Sequence, residues 1–113
     1  MVQIEGVKVT ADMIKNLNDK RFVVSAKPFY SDIPDLQNKD KFIAKLIVPV
    51  SLCQDKTILD YIPNKKSIKA IVNLYGVETD KWVGMAFEWK VVEQDFLGMT
   101  KSVAYVKEVK VVL

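Results

Sequence analysis

A hairpin near the C-terminus is the feature that most constrains the fold of this chain. Residues 97–98 (Leu-Gly) separate two runs of β-branched and aromatic residues, which is typical of a tight turn between antiparallel strands. A turn there pairs Trp89 with Val106 and Lys90 with Tyr105, whether the loop has two residues or four. This register gathers the apolar side chains on one face: Phe87, Trp89, Val91, Ala104 and Val106. The other face receives two favourable cross-strand pairs, Glu88–Lys107 and Lys90–Tyr105.

Hydrophobic periodicity predicts two helices. The clearer helix runs from Asn64, a suitable N-cap, to Gly76, and its apolar residues recur at helical spacing. We expect Gly76 to take a left-handed conformation, so that Val77 packs back on Val72. A short helix begins after Thr10 and turns three apolar residues to one side: Met13, Ile14 and Leu17.

Alternation of apolar and polar residues predicts three further strands, at Arg21–Tyr30, Lys41–Val50 and Thr57–Ile62. Residues 31–40 are polar and contain a proline, so we expect a loop there. Even-numbered residues of the second strand are expected to face inward, and Pro49 favours an edge position or a strand end.

The predicted order is three strands, a helix and two strands, with a short helix in front. This is the order of the OB-fold, a five-stranded Greek-key barrel, so we expect residues 1–113 to form a single β-rich OB-like domain. A half-open sheet packed on the helix would give the same order.

The composition argues against most enzyme classes. The chain has no histidine, and Cys53 is its only cysteine, which excludes zinc sites built from these residues and His-dependent nucleophilic catalysis. The four glycines form no phosphate-binding loop, so no cofactor or metal is expected. Asp32, Asp35 and Asp40 cluster loosely, and a solvated loop explains them better than a cation site does. We expect a protein that is not an enzyme.

No apolar run approaches the roughly 20 residues that a membrane helix needs, and the N-terminus lacks the pattern of a signal peptide. The single cysteine cannot form an intrachain disulfide, which fits a reducing compartment. We therefore expect a cytoplasmic protein that does not bind membranes.

A pattern of lysines and aromatic residues marks one strand face. The chain has 17 basic and 14 acidic residues, and only Arg21 is an arginine, which argues against sequence-specific reading of DNA. Single-strand binders combine cations along the phosphates with rings on which bases stack. The candidate nucleic-acid-binding residues are Lys27, Phe29, Lys41, Lys45, Lys90, Tyr105 and Lys107. Alternatively, these lysines only keep exposed strands soluble and discourage edge pairing.

The hairpin tip concentrates large apolar side chains, Phe96, Leu97 and Met99, where polar ones are usual. They either fold over a barrel end as a plug or stand exposed as anchors for a partner, including a second copy of the chain.

Residues 63–106 contain a pattern of residues at the two ends of the predicted helix and just after it. They contain Asn64-Lys65 at a helix start, Tyr75-Gly76 at its end, and then Thr79-Asp80, Trp82 and Gly84. This pattern resembles that of a family of small proteins from phages, archaeal viruses and prokaryotes. The resemblance implies an OB-like domain with a role near single-stranded DNA. The matched residues look structural, and Val77 stands where an acidic residue often does in that family.

Two function hypotheses follow. The first is a non-enzymatic domain that binds single-stranded nucleic acid without sequence preference. The second is a protein-interaction or assembly module that forms a homodimer through the hairpin tip or an exposed strand edge.

Overall fold

The computed structural model describes residues 7–34 and 40–111, and it is β-rich. Its helices are α1 (Ala11–Lys15) and α2 (Lys65–Tyr75), with a 3-10 turn at Thr79–Trp82. Its strands are β1 (Arg21–Val24), β2 (Phe29–Pro34), β3 (Phe42–Leu52), β4 (Ile58–Tyr61), β5 (Ala86–Phe96) and β6 (Met99–Val106).

Both predicted helices are confirmed, and their caps explain where they begin. The side chain of Thr10 accepts a hydrogen bond from the backbone N–H of Met13, and Asn64 accepts one from Ser67. Helix α2 ends at Gly76, whose φ of +90° suits glycine. The expected contact of Val77 with the helix is wrong, because Val77 is exposed.

The single strand predicted for Arg21–Tyr30 is two strands, β1 and β2. Residues 25–28 separate them and include Pro28, which has no N–H to donate to a ladder. The predicted loop is wrong for residues 31–34, which belong to β2, and residues 35–39 lie outside the described part of the chain. The structure therefore has six strands where the sequence predicted five.

All six strands are antiparallel to their neighbours and form one sheet. The long strand β3 pairs with β1, β2 and β4. β1 also pairs with β5, and β5 pairs with β6. Among the described residues β4 and β6 do not pair, so the sheet is open between them. Residues 7–9 lie along β4 through a parallel bridge between Lys8 and Asp60, and α1 packs on β5 and β6.

Pro49 lies inside β3, not at an edge or an end as predicted. On one side it is paired with Asp60 of β4, and on the other its carbonyl accepts a hydrogen bond from Ser25. The N–H and C=O of a strand residue point the same way, so the missing N–H faces the break at residues 25–28. A proline is tolerated there because no ladder bond is lost.

An aromatic cluster forms the centre of the core. The rings of Phe22 and Trp89 stack with centroids 4.0 Å apart, and Phe87 and Tyr61 pack on Phe22 at 5.4 and 5.7 Å. The predicted hairpin register is confirmed, with Trp89 opposite Val106 and buried.

Candidate functional site

One face of the sheet carries the residues of interest. Directly opposed residues and alternate residues along a strand point to the same side. Phe29 of β2 lies opposite Ile47 of β3. Ser51, four residues after Ile47 and therefore on the same side, lies opposite Val23 of β1. Val23 lies opposite Ala86, and Lys90 is four residues further along β5. The pairings therefore place Phe29 and Lys90 on one side, away from the aromatic core, which we call the outer face.

Two β-ribbons extend from this sheet. The first ribbon is β2 with residues 42–47 of β3, and the second ribbon is residues 89–96 of β5 with β6. The first follows the C-terminal end of β1. The second leaves at the opposite end, because β5 is antiparallel to β1 and Glu88 lies opposite Arg21, the first residue of β1. The predicted site residues therefore lie in these two ribbons or in the segments that adjoin them.

The first ribbon carries Phe29 and Lys45 on the outer face, with Ile43 beside them. The side chain of Phe29 is 46% exposed, and Lys45 is exposed as well. Lys41 is exposed and adjoins the start of β3. Lys27 lies in the break before β2, and its Nζ is 3.3 Å from Asp80 Oδ1.

The opposite face of the first ribbon is also exposed, contrary to the inward orientation predicted for Phe42 and Ala44. Phe42 is 66% exposed and Tyr30, which shares its face, is 73% exposed. The ribbon extends past the core, so the alternation continues where none of the described residues covers the inner face. The alternation of β3 had predicted Phe42 in the core, and no pattern in the sequence singled out Tyr30.

The second ribbon pairs Lys90 with Tyr105 on the outer face, as predicted. The ring of Tyr105 has Lys66 Nζ 4.7 Å from its centroid, and its hydroxyl accepts a hydrogen bond of 2.9 Å from Gln94. Tyr105 is consequently half-buried, and a cation covers its ring. Lys66 is an exposed residue of α2, and it reaches this ring because α2 begins beside the edge of β6.

Lys107 is the last predicted cation of this face. Its Nζ lies 3.1 Å from Glu88 Oε1, which confirms the predicted pair. Nearby, the Nε and Nη2 atoms of Arg21 donate to the two carboxylate oxygens of Asp19 at 2.9 and 2.7 Å. These bonds lower the pKa of Asp19 to about 2.

The hairpin tip is exposed instead of folded over a barrel end. Leu97 is fully exposed, and more than half of the surfaces of Phe96 and Met99 are accessible. Leu97 and Gly98 have φ values of +49° and +80°, as a two-residue hairpin turn requires. The structure therefore contradicts the plug.

Groups that could carry chemistry are few in the described part of the chain. It contains no cluster of three or more Cys, Asp or Glu residues able to hold a metal ion. Burial raises the pKa of Tyr61, and Cys53 is a half-buried free thiol. None of the described helices is long and apolar enough to cross a membrane.

No protein-family model matches the chain, and comparisons with curated proteins and with solved structures find no significantly similar one.

Proposed function

We propose that this chain is a non-enzymatic, OB-like domain that binds single-stranded nucleic acid on its outer face, without sequence preference. The observation that carries the proposal is the arrangement of Phe29, Lys45 and Lys90 on one side of a continuous sheet. The resemblance of residues 63–106 to small viral and prokaryotic proteins implies the same fold and the same kind of ligand, and it is part of this proposal.

The charges of the face support this function. Lys41, Lys45 and Lys90 have no ion pair within the described residues, so their ammonium groups are available to phosphates. Lys27 and Lys107 each have a carboxylate partner, and we expect them to contribute less. Lysine attracts phosphate as a point charge, which suits binding that tolerates any sequence.

The strand order supports an OB-like barrel with one open seam. Residues 7–9 and α1 lie near the gap between β4 and β6, where a closed barrel would have a further pairing. In OB-folds the loop after the first strand and the loop between the last two strands flank the ligand face. Here the loop between the last two strands, Leu97 and Gly98, forms the tip of the second ribbon.

Charge reversal on the first ribbon tests the proposal. Changing Lys41 and Lys45 together to glutamate should weaken binding of a labelled oligothymidine strongly, because each change replaces an attraction for phosphate by a repulsion. Fluorescence anisotropy at low salt measures the effect.

The matched control is the same double change at Lys65 and Lys69, which are exposed on α2. It alters the net charge equally and should weaken binding much less. Equal weakening by the two double variants would show diffuse attraction to a basic protein and would contradict a defined face.

The exposed tip favours a second candidate function, self-association through Phe96, Leu97 and Met99. Changing Leu97 and Met99 to serine should then convert a dimer to a monomer without lowering thermal stability, because neither side chain is buried. Analytical ultracentrifugation and thermal unfolding measure the two effects. A wild-type chain that is already monomeric at high concentration would exclude this candidate.

A further inference from the structure

A cleft beside the start of β1 is lined mainly by charged side chains, at the end of the second ribbon that adjoins the rest of the sheet. It lies between residues 18–21 and the part of β5 that extends beyond β1. Its charged lining consists of four basic residues, Lys20, Arg21, Lys90 and Lys107, and two acidic ones, Asp19 and Glu88. The cleft therefore has an excess of two positive charges.

The ion pairs in the cleft leave donors free. Arg21 uses its Nε and one Nη2 proton on Asp19, so three of its five N–H groups do not bind that carboxylate. Glu88 is bonded to Lys107 and also acts electrostatically on Arg21, so this one carboxylate is shared between two cations. Lys90 has no ion pair within the described residues.

We propose that this cleft binds a backbone phosphate of the single strand, through Arg21 and Lys90, an inference that rests on the proposed function. The guanidinium is already oriented by Asp19, so little side-chain freedom is lost when it donates to an anion. The cleft is open to solvent, which lets a chain enter and leave and so suits an internal phosphodiester. Lys90 is also opposite Tyr105 on the outer face, which joins the cleft to the rest of the site.

The only arginine of the chain supplies a direct probe. Its Nε–H gives one side-chain signal in a proton–nitrogen correlation spectrum, and the hydrogen bond to Asp19 slows its exchange with water. We expect this signal to shift on titration of the full chain with oligothymidine and, separately, with inorganic tripolyphosphate. The shift with oligothymidine should saturate with the Kd measured by anisotropy.

A pair of variants tests the cleft by binding. Lys90→Gln removes one phosphate contact, so the slope of log K against log salt should become less steep by about 0.7. The matched control Lys69→Gln, an exposed lysine of α2, should leave the slope unchanged.

The other possible results separate a failure of the cleft assignment from a failure of the proposed function. If oligothymidine binds but the Arg21 signal stays in place and Lys90→Gln behaves like Lys69→Gln, the cleft assignment is overturned and the proposed function stands. If tripolyphosphate shifts the signal but no single strand binds, the proposed function is overturned, and with it the assignment of the cleft to a strand. If neither probe shifts the signal, the cleft is not a phosphate site.

Discussion

Replacing Trp89 with alanine is expected to lower the free energy of unfolding by about 3–5 kcal/mol, the usual cost of deleting a large buried aromatic side chain. Trp89 is completely buried at the centre of the aromatic core. Its ring stacks on Phe22 with centroids 4.0 Å apart and meets Tyr61 edge-on at 5.2 Å. Alanine would leave a cavity among side chains that belong to three different strands. Urea unfolding followed by circular dichroism measures the loss.

The control for this prediction is Leu97→Ala, which removes an apolar side chain that is fully exposed. It should change the free energy of unfolding by less than about 0.5 kcal/mol, as is usual for surface substitutions. A comparable loss in both variants, or a loss below about 1 kcal/mol for Trp89→Ala, would mean that the core is not built around this ring.

Replacing Phe29 with alanine is expected to weaken binding of single-stranded oligonucleotides by about 1–3 kcal/mol, or about 5- to 150-fold in Kd. Phe29 is the exposed ring of the first ribbon that shares a face with Lys45, so a base stacked on it would leave its phosphate near the ammonium group. The dependence of binding on salt should stay nearly the same, because no charge is removed. Anisotropy titrations of both proteins measure the change.

Phe42→Ala is the matched control, since it removes the same ring from the opposite face of the same ribbon. It should weaken binding much less than Phe29→Ala. If Phe42→Ala or Tyr30→Ala has the larger effect, the strand binds the inner side of the ribbon, and the outer-face assignment is wrong.

The hairpin and α2 could be predicted from sequence because local rules specify them. A two-residue turn requires positive φ angles, and Gly98 supplies one of them readily. Once the turn is placed, the period of two fixes every cross-strand pair, including Trp89 with Val106. The ends of α2 follow in the same way from the Asn64 side chain and from Gly76.

The extent of the core could not be predicted in this way. Residues 42–50 alternate regularly along their whole length, yet only residues 46–50 are packed on both sides. Alternation shows which residues share a face but not whether another element covers that face. For the same reason the exposure of Tyr30 and Phe42 became evident only from the structure.

Contacts between residues far apart in sequence also could not be predicted for the candidate site. Lys66 is 39 residues from Tyr105 in sequence, and it reaches that ring because α2 begins beside the edge of β6. The break at residues 25–28 likewise involves a long-range contact, the hydrogen bond that the N–H of Ser25 donates to the carbonyl of Pro49. Neither contact has a local pattern that would reveal it.

The most direct test of the account is a salt-dependent titration of the wild-type chain with single- and double-stranded oligonucleotides of the same length. If Lys41, Lys45 and Lys90 supply about three phosphate contacts, log K for the single strand should fall with log salt at a slope of about −2. Single strands should bind more tightly than duplexes, because stacking on Phe29 needs unpaired bases. No measurable binding of single strands at low salt, or tighter binding of the duplex, would contradict the account.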